Sequence, residues 1–480
     1  MISTYIKKLL RVSTIALVLM HIGCEVTDVS NPQTTAEDLE NNASGSTVIF
    51  VNGLKNTAST VIEEMTLFAE SLSDNYDNTG GERRTHWDNP RAIAPLPNLV
   101  DVGPYNSLHA LVQEATFVIE TVYPNDHLAT AELLAESYFY RGLAYMLLGE
   151  SYHGSPIEEG GEPITSDTLL SMAISDFNEG LANNSDLNYA TRIKLLLARI
   201  YRVMGDKANA GQYANEALVS GLNDFIYFAD YDPNTENNFN DWSIVTSWQP
   251  NPRLDFLDQK YVNFNDPIAI SKIEEAFLIK AEIEISDGQF DNAKNTLVSV
   301  IDVVNSRPTV TFVDVDPRPD DLQRNNGGTR PMSGTVKFDA NSLEKAGLIL
   351  PRNGSSVTIP TISGTHITTS DIQSIDVNTL SGQENLFYML YLLRQEIFFA
   401  EGRRMADLGI RLPVSLRQIE TNSNFTQGDA FSVVSVPSYI PQEEDMDLFT
   451  VSGGVTTMLV DVNKILTDNR ASVSPFPISF

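Results

Sequence analysis

The sequence predicts a mainly helical protein in which paired helices form a scaffold and long loops are inserted between them. Several blocks place apolar residues at the three- and four-residue spacing of a helix face. Long stretches rich in Gly, Pro, Asn and Asp separate these blocks, which is typical of loops. With 480 residues, 42% of them hydrophobic, the chain is long enough to build a large core.

The N-terminus has the parts of an export signal. Three basic residues precede an apolar run from Val12 to Met20, and Gly23 supplies a small residue before Cys24. The run is too short for a comfortable transmembrane helix. We therefore expect residues 1–23 to be a lipoprotein signal peptide and Cys24, the single cysteine of the chain, to become the lipidated first residue of the mature protein. The alternative is an ordinary secretory signal followed by an incidental cysteine.

The charge of the chain argues against two kinds of partner, nucleic acid and anionic lipid surfaces. The formal net charge is −31, and removing residues 1–23, which contain three basic and no acidic side chains, makes it −34. A protein with this balance is repelled by phosphate, so we expect no binding to nucleic acid and no electrostatic attraction to anionic lipid.

The mature chain is predicted to be one unit, residues 24–480. Its first part, about residues 24–45, is polar and is expected to be a tether that leads from the anchor to the first helix, with Thr35 as a candidate N-cap.

Two helical blocks carry the clearest periodicity. The first is predicted to present one face made of Leu134, Tyr138, Tyr145 and Leu148, and the second one made of Leu197, Ile200, Tyr201 and Met204. Gly149 and Gly205 stand where the C-caps of these helices are expected. The second block continues into a further helix with Ala at the contact positions, an arrangement that resembles the tetratricopeptide helix pair.

Four segments in order resemble blocks of the SusD/RagB-type outer-membrane lipoproteins. They read "AESYFYRGLAYMLLGESYHGSPI", "ATRIKLLLARIYRVMGD", "EEAFLIKAEIEISDGQFDNA" and "LLRQEIFFAEGRRMADLGI". The resemblance implies a SusD-like, mainly α fold with tetratricopeptide-like pairs and loop-rich insertions. It also implies a protein exposed at the cell surface on the outer membrane. There it would capture an oligosaccharide or a peptide and deliver it to a SusC-like TonB-dependent β-barrel transporter.

Catalysis is the competing class of function, and the sequence offers little for it. No Gly-x-Ser-x-Gly, His-Glu-x-x-His or P-loop motif is present, and the six His have no metal-ligand spacing. We therefore expect a binding protein that is not an enzyme and that uses no cofactor or metal. The alternative within the binding class is an exported tetratricopeptide-type assembly factor that recognises only proteins.

The three Trp are the best candidates for contact with a sugar, because a flat ring stacks on the apolar face of a pyranose. Trp87 lies in a loop after an early helix, and Arg84, Asp88 and Asn89 flank it with hydrogen-bonding groups. The later pair lies in a second loop-like segment and comprises Trp242 and Trp248. The alternative is that these rings fix long loops to the scaffold, which we favour for the later pair.

Two acidic or charged segments have simpler interpretations. The stretch from Asp230 to Asp241 begins like a calcium loop, but Thr235 replaces the Gly that such a loop requires, so a polar surface loop is expected. In the last block, Arg403 and Asp407 are four residues apart and are predicted to pair on one helix. Leu386, Leu390, Leu393 and Ile397 are predicted to form the core-facing stripe of that helix.

Overall fold

A computed structural model describes residues 44–78, 90–92, 104–232, 235–239, 248–258, 260–261, 263–313, 333–351, 353–367, 377–441, 446 and 448–478. Within these residues most of the regular structure is helical, which confirms the predicted fold class. The helices are α1 (Thr47–Ser71), α2 (Pro104–Phe117), α3 (Ala131–Ser151), α4 (Ser166–Asn183), α5 (Leu187–Val203), α6 (Lys207–Leu218), α7 (Ile273–Ser286), α8 (Phe290–Asn305), α9 (Gln383–Ile397), α10 (Arg404–Asp407), α11 (Leu416–Thr421), α12 (Val462–Asp468) and α13 (Arg470–Val473). A π-helical turn, Val118–Val122, extends α2, and the short helical turn Tyr123–Asn125 follows it.

Consecutive helices pack as antiparallel pairs, α3 with α4, α5 with α6 and α7 with α8, and each pair contacts the next. Small residues allow this close approach. Ala210, Ala214 and Ala217 of α6 are buried against α5 and α7. A Cβ at Gly142 would lie 2.9 Å from the ring of Phe177 on α4, and one at Gly180 would lie 2.3 Å from the hydroxyl of Tyr189 on α5. The predicted tetratricopeptide-like pairing is therefore present.

The two glycines predicted as C-caps have different roles. Gly205 ends α5 with a φ of 73°, and its amide donates to the Arg202 carbonyl, as expected of a C-cap. The prediction for Gly149 was wrong, because α3 continues to Ser151. Gly149 instead lies at the contact with α4, where a Cβ would be 2.8 Å from Leu170.

The predicted helix faces are only partly correct. Leu148 and Tyr145 are buried, but Leu134 and Tyr138 are half-exposed, because α3 uses the neighbouring Phe139 and Tyr140 for the core. On α5, Leu197 and Ile200 are buried, whereas Tyr201 is half-buried and Met204 is exposed.

The predicted core-facing stripe of α9, Leu386, Leu390, Leu393 and Ile397, is fully buried. The helix is buried on its other faces too, where Arg394, Gln395 and Glu396 have polar partners.

The strands are short and pair in small sheets: β1 (Tyr76–Asn78) with β5 (Trp248–Pro250), β2 (Gly154–Ser155) with β3 (Ile164–Thr165), β4 (Ile226–Ala229) with β6 (Ile268–Lys272), β7 (Thr309–Val313) with β9 (Ser356–Pro360), and β8 (Thr335–Lys337) with β11 (Val455–Met458) and β10 (Phe449–Ser452). Three of these sheets are connected by one 3₁₀ helix, Pro252–Leu257, which contacts β5, β8 and β9. Further 3₁₀ turns are Pro90–Ala92 and Val377–Thr379. The strands thus form a loop-rich region beside the helical pairs.

The last described residues return to the helical pairs. Phe476 is buried in a cluster with Leu195 and Ala198 of α5, the alanines of α6, and Ile279 of α7. The C-terminal segment therefore covers the packed ends of two helix pairs. Among the residues that the structure describes, no helix combines the length and the apolar character needed to cross a bilayer.

Candidate ligand-binding site

A two-stranded ribbon brings the two Trp-bearing segments to one place. Strands β1 and β5 pair antiparallel, with Asn78 opposite Trp248 and Tyr76 opposite Pro250. In an antiparallel pair, the end of one strand lies beside the start of the other. The segment that follows β1 contains Trp87, and the segment that precedes β5 contains Trp242, so both are attached at the same end of the ribbon.

Aromatic packing holds the base of this ribbon. The ring of Tyr76 stacks on Phe399, with 5.1 Å between centroids, and meets the edge of Phe239 at 5.6 Å. Phe239 packs in turn against Tyr261 at 5.7 Å. Phe239 is the last described residue before the segment that contains Trp242, so both ends of that segment are fixed to β1.

Buried polar side chains support the turn between α1 and β1. The Asn75 amide donates to the Glu70 carboxylate at 2.6 Å and accepts from Gln395 at 2.8 Å, and the Gly402 amide donates to Glu70 at 2.9 Å. Complete burial raises the pKa of Glu70 to about 7, although these hydrogen bonds act in the opposite direction.

The residue before Asn75 is held by a buried ion pair. Asp74 accepts from Arg404 Nε at 2.6 Å and Nη2 at 2.8 Å, and from Gln395 at 2.9 Å. Asn463 on α12 connects Arg404 and Gln395 from the other side. The ribbon therefore leaves α1 from a position fixed by α9, α10 and α12.

The far end of the first Trp-bearing segment is also anchored. Arg91 donates to the backbone carbonyls of Pro437, at 3.2 Å, of Ile440, at 2.8 Å, and of Pro441. This contact joins the residues that follow the first Trp-bearing segment to the loop that contains Pro437, Ile440 and Pro441.

The sequence-predicted ligand residues relate to this frame as follows. Trp87, Arg84, Asp88, Asn89 and Trp242 lie outside the described residues, as does Cys24. Trp248 is the first residue of β5, and only its backbone is described. The structure thus brings together the points of attachment of the two segments, and the roles of the six side chains stay predictions.

Comparison with known proteins addresses the fold. No family model and no curated protein matches the sequence. Among solved structures, a SusD superfamily protein from Parabacteroides distasonis matches with a TM-score of 0.52 at 10% identity, and the match covers 80% of this chain and 99% of that one. This chain has the SusD-like fold.

Other SusD-like structures match this chain less closely. A SusD superfamily protein from Bacteroides vulgatus gives a TM-score of 0.47 at 10% identity, over 78% of this chain and 88% of that one. A SusD-like carbohydrate binding protein from the same organism gives a TM-score of 0.47 at 11% identity, and the match covers 77% of this chain and 83% of that one. The assignment of the SusD-like fold rests on the match at 0.52.

Two open clefts lie among the described residues of the helical part of this SusD-like fold. The larger, about 650 Å³, is lined by α2 with its π-helical turn and by α3 and α4, and it contains the ion pair of Arg141 with Asp176, in which both N–O distances are 2.8 Å. The smaller, about 480 Å³, lies beside Arg192, whose guanidinium carbon is 4.2 Å from the centroid of the Tyr189 ring and 4.4 Å from that of Tyr227. The smaller cleft combines aromatic rings with hydrogen-bonding groups and was not predicted from the sequence.

The charge cluster of the last SusD-like block forms ion pairs, but the predicted pair of Arg403 with Asp407 was wrong. Asp407 accepts from Arg394 at 2.9 and 3.0 Å and from Arg202 on α5 at 3.3 Å. The Arg403 side chain donates instead to the carbonyls of Glu401 and Ile270. The last turn of α9 ends before Arg403, so the two residues do not share a continuous helix.

Two described carboxylates of the segment first compared with a calcium loop make other contacts. Asp230 forms an ion pair with Lys55 at 2.8 Å, and Asp232 accepts from the Thr235 amide at 3.0 Å. The residues from 240 to 247 lie outside the described part of the chain.

Sequence reasoning missed a group of buried lysines near the ribbon base. Lys260 and Lys272 both donate to the same oxygen of Glu401, at 2.6 and 2.7 Å. Burial lowers the pKa of Lys272 to about 8, while the charge of Glu401 opposes this shift. The available signal was a lysine inside the apolar run "IAISKI", a position that an unpaired charge does not occupy.

Proposed function

We propose that this chain is a surface lipoprotein of the outer membrane that captures an oligosaccharide and delivers it to a SusC-like TonB-dependent transporter. A peptide is the second class of ligand that the SusD/RagB resemblance implies. The SusD-like fold supports this proposal, because the sequence blocks that resemble the family also form the helical pairs of the structure.

The observation that carries the proposal is the shared attachment of the two Trp-bearing segments. Asn78 and Trp248 are register partners, so one ribbon end holds both the segment with Trp87 and the segment with Trp242. Sites for sugars need a few rings together with amide, carboxylate and guanidinium groups. Arg84, Asp88 and Asn89 supply these groups beside Trp87.

The charge of the protein narrows the ligand to neutral sugars. The net charge of −34 that remains without residues 1–23 repels sulfated and uronic acid polysaccharides at moderate ionic strength. Stacking on a neutral sugar and hydrogen bonds to its hydroxyl groups are not opposed by the net charge of the protein, and they give the weak, reversible binding that transfer to a transporter requires.

The proposed organisation follows the sequence. Residues 1–23 are the signal peptide, Cys24 carries the lipid, residues 24–45 are the tether, and the remainder up to residue 480 is one SusD-like unit. The protein is expected to bind without hydrolysing its ligand.

Isothermal titration of the mature chain with neutral oligosaccharides of glucose, xylose and mannose tests the function. Trp87→Ala should weaken binding of the best oligosaccharide by about 1–3 kcal/mol, the range for losing a large contact residue, with little change in melting temperature. The control is Tyr213→Ala, which removes a half-buried ring stacked on Tyr201 on the helical pairs, 5.6 Å away. This control should bind as the wild type does.

Two results would change the proposal. If Trp87→Ala lowers stability by the ~3–5 kcal/mol typical of a buried aromatic, Trp87 is a core residue and the site must be sought at Trp242 and Trp248. If the wild type binds none of the oligosaccharides and no peptide, the alternative of a tetratricopeptide-type assembly factor is favoured. Cellular uptake of the bound oligosaccharide, compared between wild type and Trp87→Ala, tests delivery.

A further inference from the structure

A small, partly open cavity lies where α3, α5, α7 and α9 meet the segment around α10. Its volume is about 50 Å³. Five arginines line it: Arg199, Arg202, Arg394, Arg403 and Arg411. Three carboxylates also line it: Glu150, Glu275 and Asp407. This concentration of arginine is unusual in a protein whose formal net charge is −31.

Three of the arginines have carboxylate partners. Arg199 donates through Nε to Glu150 at 2.6 Å and through Nη2 to the other oxygen of that residue. Arg394 forms two hydrogen bonds with Asp407, at 2.9 and 3.0 Å. Arg202 is held from outside the cavity by Glu282, at 2.5 and 3.2 Å.

The other two arginines depend on neutral acceptors. Arg403 donates to the carbonyls of Glu401 and Ile270. Arg411 Nη1 donates to the carbonyls of Gly149, at 2.7 Å, and Tyr152, at 3.2 Å, and to Ser166 Oγ at 2.9 Å. Desolvation lowers the pKa of Arg403 and of Arg411.

The third carboxylate of the lining, Glu275, forms no hydrogen bond with an arginine of the cavity. Glu275 Oε1 lies 3.9 Å from Arg403 Nε and 4.0 Å from Arg199 Nε, beyond hydrogen-bond distance. With Glu282 included, four carboxylates face five guanidinium groups. Among these groups the guanidinium groups exceed the carboxylates by one, and Glu401 and Asp167 attract Arg403 and Arg411 only from outside the lining. An uncompensated charge in a buried place is strongly destabilising.

Several polar atoms of the lining have no partner among the described residues. They are Arg199 Nη1, Arg394 Nη1, Arg403 Nε and Glu275 Oε2. The three arginines come from three different elements and are each at least nine-tenths buried. Buried N–H groups in folded proteins nearly always have an acceptor.

We propose that this cavity binds a monovalent inorganic anion of the size of chloride. One anion supplies the missing negative charge and accepts from the free N–H groups of Arg199, Arg394 and Arg403. A cavity needs about 10–15 Å³ for each water, so 50 Å³ holds a halide with water beside it, and that water donates to Glu275 Oε2. The bound anion joins α5 and α9 to the segment before α10, independently of any sugar.

The first test measures the melting temperature of the mature chain while chloride replaces gluconate at constant ionic strength, because gluconate is too large for the cavity. The melting temperature of the wild type should rise by roughly 3–5 °C as chloride increases and then reach a plateau. Arg403→Gln leaves four guanidinium groups facing four carboxylates, so this variant should lose the chloride dependence. Arg192→Gln also removes a buried arginine, but one paired with Glu136 outside the cavity, and should keep the dependence.

Crystals of the wild type grown in bromide provide a second measurement that does not depend on a variant folding. An anomalous peak within hydrogen-bond distance of Arg199, Arg394 or Arg403 is expected. Water alone in the cavity of bromide-grown crystals would overturn the proposal. The same gain from chloride in Arg403→Gln as in the wild type would also overturn it, because the anion would then act elsewhere.

Discussion

Replacing Asp74 with Ala should both destabilise the protein and weaken ligand binding. Asp74 is almost fully buried and accepts three hydrogen bonds, of 2.6, 2.8 and 2.9 Å, two from Arg404 and one from Gln395. Its removal leaves the Arg404 guanidinium buried with Asn463 as its remaining side-chain partner. Losing one partner of a buried pair costs about 3–5 kcal/mol.

The effect on binding follows from the position of Asp74 two residues before β1. A looser ribbon base allows the two Trp-bearing segments to move relative to each other, so some of the binding free energy is needed to order them. We expect an affinity for the best neutral oligosaccharide about tenfold weaker, equivalent to ~1.4 kcal/mol. Denaturant unfolding gives the stability, and isothermal titration with the same oligosaccharide gives the affinity.

Asp176→Ala is the matched control. Asp176 forms a bidentate pair with Arg141 at 2.8 Å, with the same geometry as the pair at Asp74, but on the helical pairs α3 and α4. Arg141 is more exposed than Arg404, so the loss of stability should lie at the low end of the same range. Affinity should be unchanged. Equal loss of affinity in both variants, or none in Asp74→Ala, would refute the idea that the ribbon base orders the site.

Three further predictions address the packing, the pH dependence and the anchor. Gly149→Ala should lower stability by up to about 2 kcal/mol in denaturant unfolding, because overpacking against Leu170 outweighs the helix propensity gained. In contrast, Gly53→Ala, exposed on α1 with nothing within 4 Å, should raise stability by about 0.5–1 kcal/mol. Glu70 binds a proton in the folded state up to about pH 7 but releases it near pH 4.5 when unfolded, so its contribution to stability falls across this window. The free energy of unfolding of Glu70→Gln, relative to that of the wild type, should therefore rise by on the order of 3 kcal/mol between pH 4.5 and pH 8. A difference in stability that does not change with pH would contradict this assignment. Cys24→Ala should move the protein from the membrane to the soluble fraction, whereas retention in the membrane would exclude anchoring through this residue.

The sequence predicted the helix pairs because their signals are local. Periodic apolar residues, Gly205 at a helix end and the alanines of α6 each act within one or two turns. Errors arose where tertiary contacts decide the outcome. Gly149 is required by the side chain of Leu170 on another helix. Helix α3 buries Phe139 and Tyr140 rather than Tyr138, because Phe139 packs on Phe177 of α4 and both residues contact Tyr227 of β4.

The frame of the site could not be predicted for a related reason. Asn78 and Trp248 are 170 positions apart, and strands of three residues carry almost no periodic signal of their own. Gln395 reaches Asp74 and Asn75 across more than 300 positions. A single sequence shows that the Trp-bearing segments exist, but only the fold shows that both are attached to the same end of the β1–β5 ribbon.

Residues 394–396 of α9 connect the proposed ligand-binding region to the helical pairs. Successive residues of a helix point about 100° apart, and here three neighbours use this to contact three different regions. Arg394 faces Asp407 and the arginine-lined cavity, Gln395 faces Asp74 under the ribbon, and Glu396 contacts His366 in the loop-rich region. From Met389 to Ile397 this helix has no solvent face, which is why the predicted apolar stripe covered only part of its burial. A change that displaces α9 must therefore alter the cavity and the ribbon base together, whereas a change confined to α6 should affect neither.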